Sequence, residues 1–128
     1  MSNPERSKAS ILRSFMYPSE HRLRKSKDIE KLFKGGKSFL TPLFSLKLAK
    51  NGLAVSRIAV VVGIKVHKRA VRRNLIKRHL RAAMSELLPL IKPGFDLIII
   101  ARLASLDAGL DTLRKELMFV LRKVELIN

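Results

Sequence analysis

Residues Lys65–Arg81 read KVHKRAVRRNLIKRHLR. They carry Lys65, Lys68, Arg69, Arg72, Arg73, Lys77, Arg78 and Arg81, and no acid. The acid-free interval is wider still, because no Asp or Glu occurs between Glu30 and Glu86. A surface helix built for solubility mixes signs and gains i,i+4 pairs. Charge of one sign repels itself unless a polyanion neutralises it. A solvated basic face is the ordinary reading of a Lys/Arg run. Here the missing acids and the weight of Arg, whose planar fork matches phosphate oxygens bidentately, point instead to nucleic acid.

The period shows how the charge is presented. At about 100° per residue, Ile76, Leu80, Ala83, Met84 and Leu87 fall within roughly a third of a helix circumference, an apolar stripe for a core. Arg69, Arg73, Lys77 and Arg81 form an i,i+4 row that drifts past the edge of that stripe. Asn74 and Arg78 extend the polar surface, and Arg72 flanks the opposite edge. A second apolar set, Val71, Leu75 and Ala82, predicts that the helix can be covered on more than one side. The helix is expected to end near Leu88-Pro89.

Upstream, Arg57 to Ile64 (RIAVVVGI) is an apolar, β-branched run that suits a central strand. Leu43 to Lys50 alternates, with Phe44, Leu46 and Leu48 on one face and Ser45 and Lys47 on the other, as a half-buried strand does. Asn51-Gly52 marks a reversal between the two. Ser26 to Gly36 predicts a short helix with Ser26 as cap, Asp28 and Glu30 in the first turn, and Gly35 as a left-handed stop. Ile29, Leu32 and Phe33 share one of its faces. Residues 1–21 read as a flexible tail, with Met16 as an alternative start, and residues 22–128 as one domain. Downstream, Lys92-Pro93-Gly94 is a loop and Phe95 to Ala101 (FDLIIIA) a buried strand. Asp107 to Leu126 closes the chain as a helix, with Leu110, Leu113, Leu117, Val120, Leu121 and Val124 facing inward. The order predicts an α+β sandwich with helices packed on one sheet.

The chain has 128 residues, nearly half of them apolar, so it can build a modest core and is no disordered basic arm. Its net charge of +17 far exceeds what solubility requires. A membrane surface is the competing polyanion, but an amphipathic anchor favours Trp, and there is none. No apolar run approaches the ~20 residues of a membrane span. Without Cys there is no disulfide or thiolate chemistry, which fits a reducing compartment, and a cytoplasmic location is expected. Independent catalysis is not expected. A protein nuclease needs an acid/base pair or carboxylates for metal ions. The acids lie at the two ends of the chain without a paired spacing. His67 and His79, about 120° apart on the helix, have no carboxylate nearby in sequence to orient them.

Ala70–Arg81 (AVRRNLIKRHLR) resembles the signature helix of the bacterial ribonuclease P protein component. HRLRKSKDI, from His21, is similar to that family's opening Arg-Leu-x-Lys-Ser-x-Asp-Phe segment. Arg57-Ile58-Ala59-Val60 and LIIIAR, from Leu97, match its strands. The resemblance covers about residues 21–126, four segments in order. Four departures stand out. Leu75 replaces a third basic residue, Ile29 a Phe, Val66 a Lys, and His67-Lys68-Arg69 a commonly aliphatic-Gly-Asn turn. The extra charge at Lys68 and Arg69 is expected to compensate electrostatically.

The resemblance implies a two-layer α+β sandwich, ribosomal-protein-like, with a mainly antiparallel sheet and a left-handed β-α-β crossover. It implies a subunit that joins a catalytic RNA to remove the 5′ leader of precursor tRNA, with Mg²⁺ bound mainly by the RNA and no general base from the protein. Arg72, Arg73, Asn74, Lys77, Arg78 and Arg81 would contact RNA, with Lys65, Lys68, Arg69, Arg22 and Lys25 beside them. Phe33, Phe44, Lys47 and Ile29 would line a cleft for the single-stranded leader. No membrane or DNA partner is expected. Two alternatives remain: a ribosomal RNA-binding or ribosome-assembly protein without processing activity, and a DNA-binding helix module. The second would need a short tight turn before its recognition helix, where the sequence has a strand.

Overall fold

Alternation in one strand decides which face of the sheet is which. In the computed structural model, which describes residues 19–128, strand β2 (Phe44–Lys50) buries Phe44, Leu46 and Leu48 and leaves Ser45, Lys47 and Ala49 half-buried. Side chains alternate faces along a strand, so the first set points to one layer and the second to the other.

Strands β1 (Lys37–Leu40), β2, β3 (Arg57–Val61) and β4 (Phe95–Ala101) form one sheet in the order β1-β2-β4-β3. The β1/β2 and β2/β4 pairs are antiparallel and β3/β4 is parallel. The sheet is therefore mainly antiparallel, as expected. Helix α2 (Ala70–Leu87) is the crossover between the two parallel strands. It packs with helix α3 (Leu110–Lys123) on the Phe44 face. Ile76, Leu80, Ala83 and Met84 from α2 meet Leu113, Leu117 and Leu121 from α3 over Leu46, Leu97 and Ile99. The other face carries a smaller core, in which Leu23 and Leu32 lie on Ala59 and Ile98. Leu32 belongs to helix α1 (Ser26–Gly35). Central β4 is covered on both faces, which is why FDLIIIA runs apolar without alternation.

Several expectations shift at their edges. Ser26 does not cap α1; Lys25 holds the cap position, and no side chain bonds there. Gly35 is not left-handed but lies inside the helix, and Gly36 beyond it is extended. A Cβ on Gly36 would sit 2.8 Å from the Leu32 carbonyl oxygen and 3.0 Å from that of Leu48. Glycine is needed there for close approach rather than for handedness. The β1 edge strand has no counterpart in the sequence reading, because its exposed KSFL shows no clean alternation. Strand β3 stops at Val61, three residues early. Helix α2 starts at Ala70, so Lys65–Arg69 form its lead-in and not its first turn. The last helix starts at Leu110 after a 3₁₀ segment, Leu103–Asp107, which leaves Leu110 exposed instead of inward.

The expected tail, Met16 included, lies outside the described residues up to 18. Its last three residues, Ser19–His21, form a 3₁₀ turn, and the His21 Nδ1 lies 2.8 Å from the Ser56 carbonyl. Arg22 bridges to Ile58, and the Leu23 N–H donates to the Ile58 carbonyl at 2.9 Å. Residues 21–23 thus lie along the start of β3.

Candidate nucleic-acid interface

The entrance to α2 is held by its own residues. The Arg69 N–H donates to His67 Nδ1 at 3.0 Å. The Arg73 guanidinium donates through Nη1 to the carbonyls of His67 at 2.9 Å and Lys68 at 2.6 Å. Arg73 therefore does not simply point at a partner; it fastens the lead-in that carries Lys65, Lys68 and Arg69, all exposed. His67 sits in that lead-in rather than on the helix with His79. The first turn of α2 has no acid and no side-chain cap. Its unpaired N–H groups and dipole add attraction for an anion to the side-chain charge.

Along α2, Arg72, Asn74 and Arg78 are exposed, and Arg73, Lys77 and Arg81 are half-buried. Among the described residues, Lys65, Lys68, Arg69, Arg72, Lys77, Arg78 and Arg81 have no carboxylate within ion-pair reach. The second apolar set is not covered as expected: Ala82 is buried, but Val71 is 77% exposed and Leu75 38%. Leu75 thus adds an apolar spot to the basic surface.

Three aspartates elsewhere are engaged locally. The Arg57 guanidinium grips Asp96 through Nε at 2.9 Å and Nη2 at 2.7 Å, and reaches Asp28 of α1 at 3.4 Å. Asn51 Nδ2 donates to the same Asp96 carboxylate at 2.9 Å. The Asp96 hydrogen bond is the main reason the Arg57 pKa is raised above its ordinary value. Arg114 and Lys115 hold the Asp111 carboxyl below its usual range. The described residues contain no cluster of three His, Asp or Glu that could hold a metal ion, and none of their helices is long and apolar enough to cross a membrane.

Of the residues expected to line a cleft, Phe33, Ile29 and Lys47 lie on one face of the sheet and Phe44 on the other. Phe33 of α1 is 42% exposed. Lys47 Nζ lies 5.8 Å from its ring centroid and donates to the Phe33 carbonyl at 3.4 Å and Ser38 Oγ at 3.2 Å. Ile29 is half-buried against the smaller core. Phe44, however, is fully buried and belongs to the core under α2 and α3. Phe44 and Lys47 are three residues apart on one strand, so they face opposite layers, and Phe44 cannot line the cleft.

The register supplies the replacement. Leu40, Ser45, Ile100 and Val61 stand opposite one another across all four strands. They share the face of Lys47. Leu40 is 64% exposed and the other three half-buried, so this row forms an open floor beside α1. The sequence signalled Ser45 by its alternation with Lys47, but could not place Leu40 on a strand it did not show.

At the β3 edge, Arg22, Arg24 and Arg81 surround a cavity of about 340 Å³ whose apolar lining includes Ile29, Ile58 and Val61. The end of the basic row on α2 thereby meets the cleft beside α1. Lys25, also exposed, stands at the start of α1. Arg24 has no place in the sequence reading, because only the fold brings it to Arg81.

Comparison with known proteins agrees in sequence and in fold. A family model described as Ribonuclease P matches residues 17–125. The chain is 36% identical over 116 residues to the ribonuclease P protein component of Synechococcus elongatus, covering 87% of this chain and 95% of the relative. The solved RNase P protein of Staphylococcus aureus superposes with a TM-score of 0.76 at 28% identity, over 84% of this chain and 98% of that one. That of Thermotoga maritima, in complex with 1-(4-fluorophenyl)-2-thiourea, gives 0.73 at 34% identity, over 80% and 98%.

Proposed function

The chain belongs to the ribonuclease P protein family, and on that premise we propose that it is the protein subunit of ribonuclease P. It partners the catalytic RNA and aids endonucleolytic removal of the 5′ leader from precursor tRNA. The observation that carries this reading is the acid-free surface of α2, with Arg72, Asn74 and Arg78 exposed and the lead-in held by Arg73. Phosphate is the group such a surface neutralises. A ribosome-assembly role without processing is not favoured, since the relatives are ribonuclease P proteins along nearly their whole length.

The RNA carries the chemistry in this reading, and the protein alone is inactive. Phosphodiester hydrolysis needs Mg²⁺, and the described residues offer no carboxylate cluster for it; Asp28 and Asp96 are committed to Arg57. We assign the ion mainly to the RNA. This chain's own residues bind and position. Arg72, Arg73, Asn74, Lys77, Arg78 and Arg81, with Lys65, Lys68, Arg69, Arg22 and Lys25, contact RNA backbone. The trough between Phe33, Ile29 and Lys47 and the Leu40–Val61 floor takes the single-stranded leader. Stacking on Phe33 and contact with an apolar floor are indifferent to base identity, which suits leaders of many sequences. The work belongs in the cytoplasm, where precursor tRNA is made.

Reconstitution tests this. A bacterial ribonuclease P RNA and a precursor tRNA, at Mg²⁺ too low for the RNA alone, should give correct 5′ maturation only when this protein is added. Arg78→Ala should weaken it. Tight RNA binding with no rescue of cleavage would overturn the reading in favour of an assembly role.

A further inference from the structure

A second basic surface lies on the helix layer, at the far end of the sheet. Lys37, Lys50, Lys92 and Lys123 line a groove of about 760 Å³ whose wall includes the half-buried Phe95 and whose lining holds a single acid, Glu125. All four lysines are exposed. None has a carboxylate within ion-pair reach among the described residues. They come from the start of β1, the end of β2, the loop before β4 and the end of α3, so no run in the sequence announces them.

Register fixes the side of the sheet on which the groove opens. Lys37 stands opposite Leu48, and Lys50 opposite Phe95. Leu48 belongs to the core beneath α2 and α3, and Lys50 follows it by two residues, so both lysines share that face. Ser45 and Lys47 are on the other face, with the sheet between them and the groove. Along β4 the groove lies at Phe95, whereas α2 departs from the end of β3 beside Ile100. Over the seven residues of β4 at ~3.3 Å each, the groove and the lead-in to α2 are about 20 Å apart along the strand direction.

An aromatic ring stands beside the groove. Phe119 is 52% exposed on α3, the helix that buries Leu113, Leu117, Val120 and Leu121. Lys123 Nζ lies 5.6 Å from its ring centroid, so one of the four ammonium groups joins ring to groove. An exposed ring among uncompensated cations is the combination that holds unpaired nucleic acid: the ring stacks on a base while the cations follow the backbone.

We infer that the groove and Phe119 form a second RNA site, which takes an unpaired segment of the catalytic RNA. The inference rests on the function proposed above. In that reading the leader lies across the sheet, whereas the RNA that covers α2 is on the same layer as the groove. Four ammonium groups on separate elements around a concavity suit a strand that bends, not a rigid duplex. Neither lysine nor ring reads sequence. Contact at both ends of the helix layer fixes the orientation of the protein on the RNA, which one helix surface leaves free to pivot.

The test measures binding of the whole protein to a bacterial ribonuclease P RNA without substrate. One variant carries Lys37→Gln, Lys50→Gln, Lys92→Gln and Lys123→Gln, a control carries Arg at the same four positions, and a third protein carries Phe119→Ala. The Gln variant should bind the RNA about ten-fold more weakly. Its log–log salt slope should shrink by about 0.7 for each phosphate that is no longer neutralised. Phe119→Ala should weaken binding about five-fold with the slope unchanged, and the Arg control should bind like the parent. Parent-level affinity in the Gln variant would overturn the inference. So would a loss seen only when precursor tRNA joins the assembled holoenzyme, which would place the groove against the substrate. A loss in the Gln variant with none in Phe119→Ala would overturn the unpaired segment in favour of a duplex. Failure of the proposed function is separable, because the parent protein itself would then not rescue cleavage.

Discussion

Glu125 is the one described non-glycine residue with a positive φ, 63°. It closes α3 in a Schellman arrangement. Its N–H donates to the Arg122 carbonyl at 3.0 Å, and the Leu126 N–H reaches back to the Leu121 carbonyl at 2.9 Å. Buried Leu126 anchors the turn, which forces the left-handed conformation on a residue with a Cβ. Glu125→Gly should therefore raise stability by about 1 kcal/mol, seen as a higher thermal midpoint. An unchanged or lower midpoint would mean that the turn carries no such strain. Nothing in the local sequence marks Glu125, because the strain comes from where Leu126 must go. Phe44 teaches a related lesson: its alternation with Lys47 is visible in the sequence, and that alternation assigns the two side chains to opposite faces, so one cleft cannot hold both.

At the scale of elements, two fastenings matter. The first holds α1 to the sheet, where Arg57 on β3 bridges Asp96 on β4 and Asp28 on α1. Both Arg57 and Asp96 are largely shielded, so removing one leaves the other's charge poorly compensated. Asp96→Ala should cost about 3 kcal/mol in denaturant unfolding. The Arg57→Ala/Asp96→Ala double variant should lose clearly less than the sum of the single variants. Additive losses would show that the pair contributes no coupling. The second fastening is Arg73 on the lead-in to α2. Arg73→Lys keeps the charge but replaces the planar Nη1 group that donates to both carbonyls with a strongly hydrated ammonium on a shorter stem. Hydrogen exchange across residues 64–69 should speed up, and RNA affinity should fall more than in Arg72→Lys. Equal effects of the two substitutions would make Arg73 an ordinary phosphate contact. The amphipathic period placed both helices of the core face; their starts were harder, since a basic lead-in and a 3₁₀ segment carry side chains that fit a helix equally well.

For the whole molecule, the function proposed above sets a charge of +17 between two polyanions, where it would relieve their repulsion. The protein's contribution to cleavage should grow as Mg²⁺ is lowered, measured as the rate ratio with and without protein across a titration. A constant ratio would remove the electrostatic part of its role. The basic surface of α2, the β3–α2–β4 order and the family membership were all legible in the chain itself, because each rests on residues close together in sequence with a period or motif of their own. Tertiary structure alone decided the rest: the Leu40–Ser45–Ile100–Val61 floor, the meeting of Arg22 and Arg24 with Arg81, and the four lysines gathered at the far end of the sheet. These sites draw on segments far apart in the chain, and only strand register and helix docking bring such residues to one surface. Charge and period are local quantities; a cleft is not.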